Sequence, residues 1–280
     1  MPDLKEVDAA IAEALEGGEL DALIREAGGL VSGGKRLRAK LVLALGPATG
    51  VEPEVQRRAA AAVELVHAAS LLHDDVIDGG RIRRGAPSFW TGYGVNGAVL
   101  LGDWLVFRAL SLLRPVSNGR LAGLMIGFGT EVCEAEAAQE LVFRGGTGRW
   151  ERSLDFARRK TGALFAFAAE ACGGCNRELS GALRESGYRL GTAYQVADDV
   201  LDEHGDREEA DKSLGSDRSR GKVTAVTVEG APDDPAAFIS DLLDASAAPL
   251  HKWREISAAW SGYVDATIRP LVDRYLNTAG

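Results

Sequence analysis

The sequence predicts an all-α fold, a single-domain multi-helix bundle over residues 1–280. Three observations carry that expectation. Ala- and Leu-rich segments recur with apolar residues at helical spacing. Alternating β-branched runs are few, and Gly or Pro falls between the periodic segments. Apolar residues make up 46% of the chain, enough to bury a sizeable core. There is no repeat at solenoid periods and no linker long enough to set off a second domain.

The elements follow in order. Val7, Ile11, Ala14 and Leu15 form a first apolar stripe, closed by Gly17-Gly18. Leu41 to Leu45 opens a helix expected to end at Gly46-Pro47. Residues 54–78 contain no Gly or Pro and should be one helix, stopped by Gly79-Gly80. Further helices are expected over about 99–113, 121–143, 153–171 and 179–202, then 236–245 and 252–276. Polar, Gly-containing loops are expected over 203–222 and 229–235. The uncharged run from Gly85 to Gly102 is broken by Pro87, Ser88, Thr91 and Asn96, so no integral membrane segment is expected. The polar, acidic start Met1-Pro2-Asp3-Leu4-Lys5-Glu6 is unlike a secretory signal, and the expected setting is cytoplasmic.

Lys and Arg number 32 against 41 Asp and Glu, a net charge of -9. That argues against a nucleic-acid binder, which needs cations to neutralise phosphates. A small phosphate ligand held through a divalent metal is still compatible with it. Cys133, Cys172 and Cys175 are too few for a disulfide framework. Cys172 and Cys175 have CxxC spacing, but no second pair and no nearby His completes a zinc site, so a chance spacing or a packing role is expected.

One acidic pattern occurs twice: Asp74-Asp75-Val76-Ile77-Asp78 and Asp198-Asp199-Val200-Leu201-Asp202. Within a helix, the first and last Asp of each pentad share a face and repel. At a helix C-terminus they also oppose the macrodipole. A bound cation removes both penalties, and magnesium, which takes oxygen ligands and often shares them with substrate phosphate, suits the set. One such run alone would read as a solvated helix end; two near-identical ones point to metal. His67, Asp74 and Asp78 form one stripe, and Gln195, Asp198 and Asp202 another. Polar stripes on helices this apolar should face a cavity, with metal between them.

Cations accompany both pentads. Gly33-Gly34-Lys35-Arg36-Leu37-Arg38 precedes a helix, and Arg81-Ile82-Arg83-Arg84-Gly85 follows the first pentad at once. Arg158-Arg159-Lys160-Thr161 interrupts an apolar segment, and Lys212 and Lys222 follow the second pentad. Arg offers phosphate a planar fork and Lys a point charge. Their placement suggests one diphosphate held through metal and a second held directly by cations.

From about Gly33 to Thr224 the sequence resembles the polyprenyl synthetase family, the trans-isoprenyl diphosphate synthases. Leu71-Leu72-His73-Asp74-Asp75-Val76-Ile77-Asp78 with Arg83-Arg84-Gly85 is similar to its first aspartate-rich motif. Tyr194-Gln195-Val196-Ala197-Asp198-Asp199-Val200-Leu201-Asp202 is similar to the second. Gly33 to Arg38, Gly102-Asp103, Glu136 with Gln139, and Lys160-Thr161-Gly162 resemble further family segments. The resemblance implies an isoprenoid-synthase-type bundle around a deep central cavity, usually a homodimer, that joins isopentenyl diphosphate to an allylic prenyl diphosphate. It implies about three Mg2+ per site, bound by Asp74, Asp78 and Asp198 with Asp75, Asp199 and Asp202 in the same motifs. Arg83, Lys160, Lys212 and Lys222 would contact the allylic diphosphate, and Lys35, Arg38, His67 and Arg84 would hold isopentenyl diphosphate. Thr161, Gln195 and the Lys160 carbonyl would aim dipoles at a carbocation.

The sequence also departs from the family pattern. Ala39 stands where Pro is common, Asp211 where Gly is usual, and Ala225-Val226 where Leu-Pro is usual; the region after about Gly230 matches poorly. Product length in the family is set largely by the helix before the first motif. Ala69 and Ser70 are small, which implies a medium- to long-chain product of six or more isoprene units. If Phe107, Phe128 or Phe143 forms a deeper floor, a geranylgeranyl-type product follows instead. Two alternatives remain open. A class I terpene cyclase would not need Lys35, Arg38 and Arg84, and a non-catalytic subunit of a heteromeric synthase typically lacks one or both acidic motifs.

Overall fold

The structure, a computed structural model, describes residues 2–26, 33–143, 148–204 and 228–278. Apart from one two-stranded hairpin, every element among the described residues is helical, as expected. Helix α1 (Leu4–Leu15) starts at a capping box between Asp3 and Glu6, and α2 (Asp21–Glu26) follows. Helix α3 (Leu37–Thr49) runs through Gly46-Pro47, where an end was expected. Pro47 falls in the last turn, and the stop is the left-handed Gly50 (φ 69°), whose N–H donates to the Gly46 carbonyl at 3.0 Å. Gly46 gives close passage to the Gln56 side chain, which in turn donates to the Val51 carbonyl at 2.5 Å.

Helix α4 (Pro53–Ile77) is the long helix the sequence predicts, with Pro at its first turn. Ala59 to Val63 and Leu65 are all 0% exposed, so this helix is buried on every side and forms the centre of the bundle. Strands β1 (Ile82–Arg83) and β2 (Ala86–Pro87) follow, with Arg83 paired to Ala86. Their two-residue turn has φ 52° at Arg84 and 71° at Gly85, both positive as a type I′ hairpin requires. The sequence reading did not anticipate this hairpin.

Helix α5 (Phe89–Leu113) starts ten residues before the expected Val99, because a short helical segment precedes the main one, the two joined at Gly94, whose backbone is not helical (φ 76°, ψ 168°). Then come α6 (Arg120–Leu141) and α7 (Trp150–Ala157), a π-helical turn at Arg158–Gly162, and α8 (Ala163–Ala171). Helix α9 (Arg177–His204), α10 (Pro235–Ala245), α11 (Arg254–Tyr263), a second π turn (Val264–Ile268) and α12 (Arg269–Thr278) complete the order. Buried residues from Val7 to Tyr275 form one continuous apolar cluster. Among the described residues, α5 is the one helix long and apolar enough to cross a membrane, but it packs along α4.

Cys172 lies in the core, its Sγ 3.7 Å from the Val42 carbonyl oxygen, and burial pushes its thiol up to about 12. Cys175 is exposed and both thiols are free, so a packing role fits Cys172 alone.

All nine residues of α8 are buried, and α9 lies against them by way of glycine. A Cβ on Gly191 would stand 2.6 Å from the Gly162 Cα, and one on Gly187 would stand 2.5 Å from the Ala166 Cα. Such distances are closer than backbone can yield to, so these glycines set the helix separation. Gly191→Ala is therefore expected to destabilise the fold by about 1–3 kcal/mol through overpacking, read as a lower urea midpoint at unchanged slope.

Candidate active site

The two acidic stripes stand at the ends of two different helices. Asp74 is in the last turn of α4 and Asp78 caps it, the Asp78 N–H donating to the Asp74 carbonyl at 2.7 Å. Asp198, Asp199 and Asp202 lie on α9, within the last two turns before its end at His204. Asp75 faces inward, 5% exposed, and takes the Arg83 guanidinium on both carboxylate oxygens, at 2.8 and 2.9 Å from Nε and 2.7 Å from a terminal nitrogen. That bidentate pair ties the hairpin back onto α4. Trp90 Nε1 donating to the Gly80 carbonyl at 2.7 Å closes the same corner.

The hairpin turn presents Arg84 to the basic segment before α3. The left-handed Gly34 (φ 97°) leaves space that the Arg84 guanidinium fills; a Cβ there would stand 2.5 Å from its terminal nitrogen. Arg36, also left-handed (φ 51°), turns away to Asp8 at 2.6 Å and Glu64 at 3.8 Å. Glu64 also accepts the Ala39 N–H at 3.0 Å, securing the start of α3. Non-glycine residues held in the left-handed region cost about 1–2 kcal/mol each, so both arginine conformations are imposed by these contacts.

Lys35 and Arg38 are the cations that remain. Arg38 is 8% exposed, 4.9 Å over the Phe165 ring, and its Nε has no hydrogen-bond partner among the described residues. Burial lowers its pKa, while Glu64, Tyr194 and Tyr263 oppose that. His67, half-buried on α4, is held well below the usual histidine range by burial and then by Arg38, Arg84, Arg83 and Arg36. A buried cation with an unpartnered N–H, near a histidine whose proton affinity burial depresses, is chemistry suited to an anion.

The second half of the site grows from the π turn. Such turns insert a residue into the helical repeat and often mark functional positions. Lys160 Nζ reaches Glu136 at 2.5 Å and donates to Gln139 Oε1 at 2.8 Å, both on α6. Thr161 Oγ1 donates to Gln195 Oε1 at 2.5 Å, and Gln195 Nε2 donates to Asp199 at 2.8 Å. Asp199 thus orients Gln195. Ala69 is 1% exposed on the interior face of α4, and the Ser70 hydroxyl donates to the His67 carbonyl at 2.9 Å. Lys212 and Lys222 lie outside the described residues.

These contacts run in a chain. Asp75 holds Arg83, and Arg84 lies on Gly34, beside Lys35 in the sequence. Arg38 and Tyr194 both pack against the Phe165 ring. Gln195, the next residue after Tyr194, joins Asp199 to Thr161, and Lys160 joins Glu136. Among the described residues no three His, Cys, Asp or Glu side chains form a ready-made metal cage. The donor set, carboxylates in pairs on two helices, fits magnesium, which uses one or two carboxylates and fills its octahedron with phosphate and water.

Two features escaped the sequence reading. Tyr275 on α12 touches Lys35, and His73 fits against Gly102, its Nε2 3.2 Å from the Val99 carbonyl oxygen and 3.4 Å from Asp103. A Cβ on Gly102 would overlap that ring, so Gly102 sets how α5 meets the turn carrying Asp74. The signal available was the Gly102-Asp103 pair; for Tyr275 there was none.

The fold agrees with that of known proteins. The profile of the polyprenyl synthetase family matches residues 22–256, and the chain belongs to that family. It is 35% identical over 206 residues to the short chain isoprenyl diphosphate synthase of Methanocaldococcus jannaschii, covering 71% of this chain and 63% of that one. The chain therefore spans a little under two thirds of that relative. It is 33% identical over 227 residues to the octaprenyl diphosphate synthase of Escherichia coli, covering 79% and 70%. The crystal structure of a polyprenyl synthase from Caulobacter crescentus, complexed with calcium and isoprenyl diphosphate, superposes with a TM-score of 0.74 at 30% identity. It covers 99% of this chain and 86% of that one.

His67 carries a pH prediction. Its pKa is depressed in the folded protein, so as pH falls below the ordinary histidine value the unfolded chain binds a proton that the fold refuses. Stability contributed at His67 is present above that value and lost on acidification towards the folded one. Urea titrations between pH 7.5 and 5 should show a steeper loss for wild type than for His67→Gln.

Proposed function

We propose that the protein condenses isopentenyl diphosphate head-to-tail with an allylic diphosphate, giving a longer all-trans prenyl diphosphate and free diphosphate. The observation that carries this reading is the division of the site. One part holds Lys35, Arg38, His67 and Arg84 with an incompletely partnered buried cation; the other holds carboxylate pairs beside Lys160, Thr161 and Gln195. Two anions of different coordination are thus provided for. A terpene cyclase needs only the second part.

In this reading Asp74, Asp78, Asp198 and Asp202 hold magnesium, which draws charge from the leaving diphosphate. Asp75 and Asp199 act through Arg83 and Gln195, their partners in the structure. Lys160 and Arg83, with Lys212 and Lys222, contact the allylic diphosphate. The allylic carbon–oxygen bond breaks and its electron pair leaves with that diphosphate. The Thr161 hydroxyl, the Gln195 amide and the Lys160 carbonyl face the cation, where fixed dipoles in an apolar wall stabilise charge far better than water does. Lys35, Arg38 and Arg84 fix isopentenyl diphosphate, and its alkene supplies the electrons of the new carbon–carbon bond. The proton then lost goes to the released diphosphate.

The interior of the bundle supports a medium- to long-chain product. Ala69 leaves the α4 face small, Phe107 is 67% exposed on the outside, and Phe143 packs with Phe156 and Arg152. Phe128, 6.2 Å edge-on from Phe167, is the candidate of the three in the core, and it is the floor in the geranylgeranyl alternative. The active form is a homodimer in this proposal. Tyr93, Val95, Val99, Leu100 and Phe107 on α5 and Ile126 on α6 expose an apolar face that a second copy would cover.

Purified protein, radiolabelled isopentenyl diphosphate and allylic primers of increasing length test the reading. Elongated diphosphates should form with magnesium and vanish with chelator; conversion of primer alone to hydrocarbon would instead identify a cyclase. Asp74→Ala and Asp198→Ala should each lower kcat by about 10²-fold or more. Ala69→Phe should shorten the longest product on chromatography while leaving the first condensation intact; an unchanged product would place the floor elsewhere.

A further inference from the structure

The family profile ends at residue 256, yet two tyrosines beyond it reach the basic segment that opens α3. Tyr263 of α11 donates its hydroxyl to the Leu37 carbonyl at 2.7 Å, in the core. Tyr275 of α12, 5% exposed, receives the Lys35 ammonium on its hydroxyl, and that ammonium also stands 4.9 Å from the ring centroid. The same hydroxyl lies 3.1 Å from the Tyr194 hydroxyl, and the two rings are 6.1 Å apart. Tyr194 immediately precedes Gln195 and lies one helical turn before Asp198.

We propose that Tyr275 is a positioning residue for the isopentenyl diphosphate half of the site, fixing where the Lys35 ammonium stands. A lysine is a point charge on a four-carbon stem, and an unrestrained stem loses much rotamer freedom on binding an anion. Here that freedom is already gone. The phenol takes one ammonium N–H and its ring attracts the charge, leaving two N–H groups for phosphate oxygens. A hydroxyl can accept from Lys35 and still donate to, or accept from, Tyr194, so one oxygen references the cation to α9 as well as α12. Lys35 therefore keeps a fixed relation to the helix that carries the second acidic pentad. The proposal rests on the assignment of Lys35 to isopentenyl diphosphate made above.

Initial rates with isopentenyl diphosphate varied at saturating primer, and the reverse, test it in Tyr275→Phe, Tyr275→Leu, Lys35→Ala and the Lys35→Ala/Tyr275→Phe pair. Tyr275→Phe should raise KM for isopentenyl diphosphate about ten-fold, with kcat and the primer KM within about two-fold. Tyr275→Leu, which also removes the ring, should raise it further. In the Lys35→Ala background the Tyr275→Phe increment should disappear, which a general weakening of the fold would not produce. An unchanged isopentenyl diphosphate KM in folded Tyr275→Phe, or the same increment with and without Lys35, overturns the proposal while leaving the synthase reading intact. Wild type that condenses nothing overturns both. Should Tyr275→Phe fail to fold, Tyr194→Phe tests the same hydroxyl pair: about a three-fold rise in that KM is expected, and no rise overturns the proposal.

Discussion

The pairing of Asp75 with Arg83 is the interaction on which the site depends. Like charges crowd the end of α4: three carboxylates within five residues, and three arginines within the next six. Left to themselves the acids repel one another and oppose the helix dipole. Turning one acid inward against one arginine divides the set. The hairpin is pinned, Arg84 is delivered to Gly34 by a left-handed turn, and Asp74 and Asp78, both half-buried, stay outside that pair. The pair is largely buried, so losing either partner would leave a desolvated charge and release the hairpin.

The opposite wall is governed by packing. Gly162, Gly187 and Gly191 let α8 and α9 approach to backbone contact, and the π turn then displaces the side chains before and after it. Arg158 consequently lies 3.9 Å over the Tyr188 ring and bonds Glu185 at 2.9 Å, while Lys160 and Thr161 reach Glu136, Gln139 and Gln195. One rod thus serves two faces. Thr161, Gln195 and Asp199 form an oriented chain whose dipoles are set before any ligand arrives, the condition under which electrostatic stabilisation is largest.

Much of this was legible in the sequence because its signals were local. The 3.6-residue period, the two acidic pentads and the glycines after Ile77 named the helices and most of the candidate site. What escaped was either conformational or distant. Arg84-Gly85 contains a glycine suited to a turn, but nothing local shows that Arg84 itself takes positive φ; the two-residue turn requires it, and the distant Asp75–Arg83 pair holds that turn in place. Pro47 looked like a stop, yet a proline in a final turn forfeits little, and Gly50 supplies the end. The π turn has no sequence signature, because it answers the packing of α8 on α9.

The Lys35–Tyr275 contact joins residues 240 apart, and Tyr263–Leu37 joins residues 226 apart. During synthesis, the basic segment leaves the ribosome hundreds of residues before the phenol that orders it. At about 5–20 residues per second, the interval is on the order of ten seconds or more. Until α12 docks, α3 and α4 can be helical and the central core partly assembled, but the Lys35 ammonium has no fixed address. Contacts of such separation are among the slowest to form. The bundle can therefore be compact before it is competent, with affinity for one substrate acquired as the final step of folding.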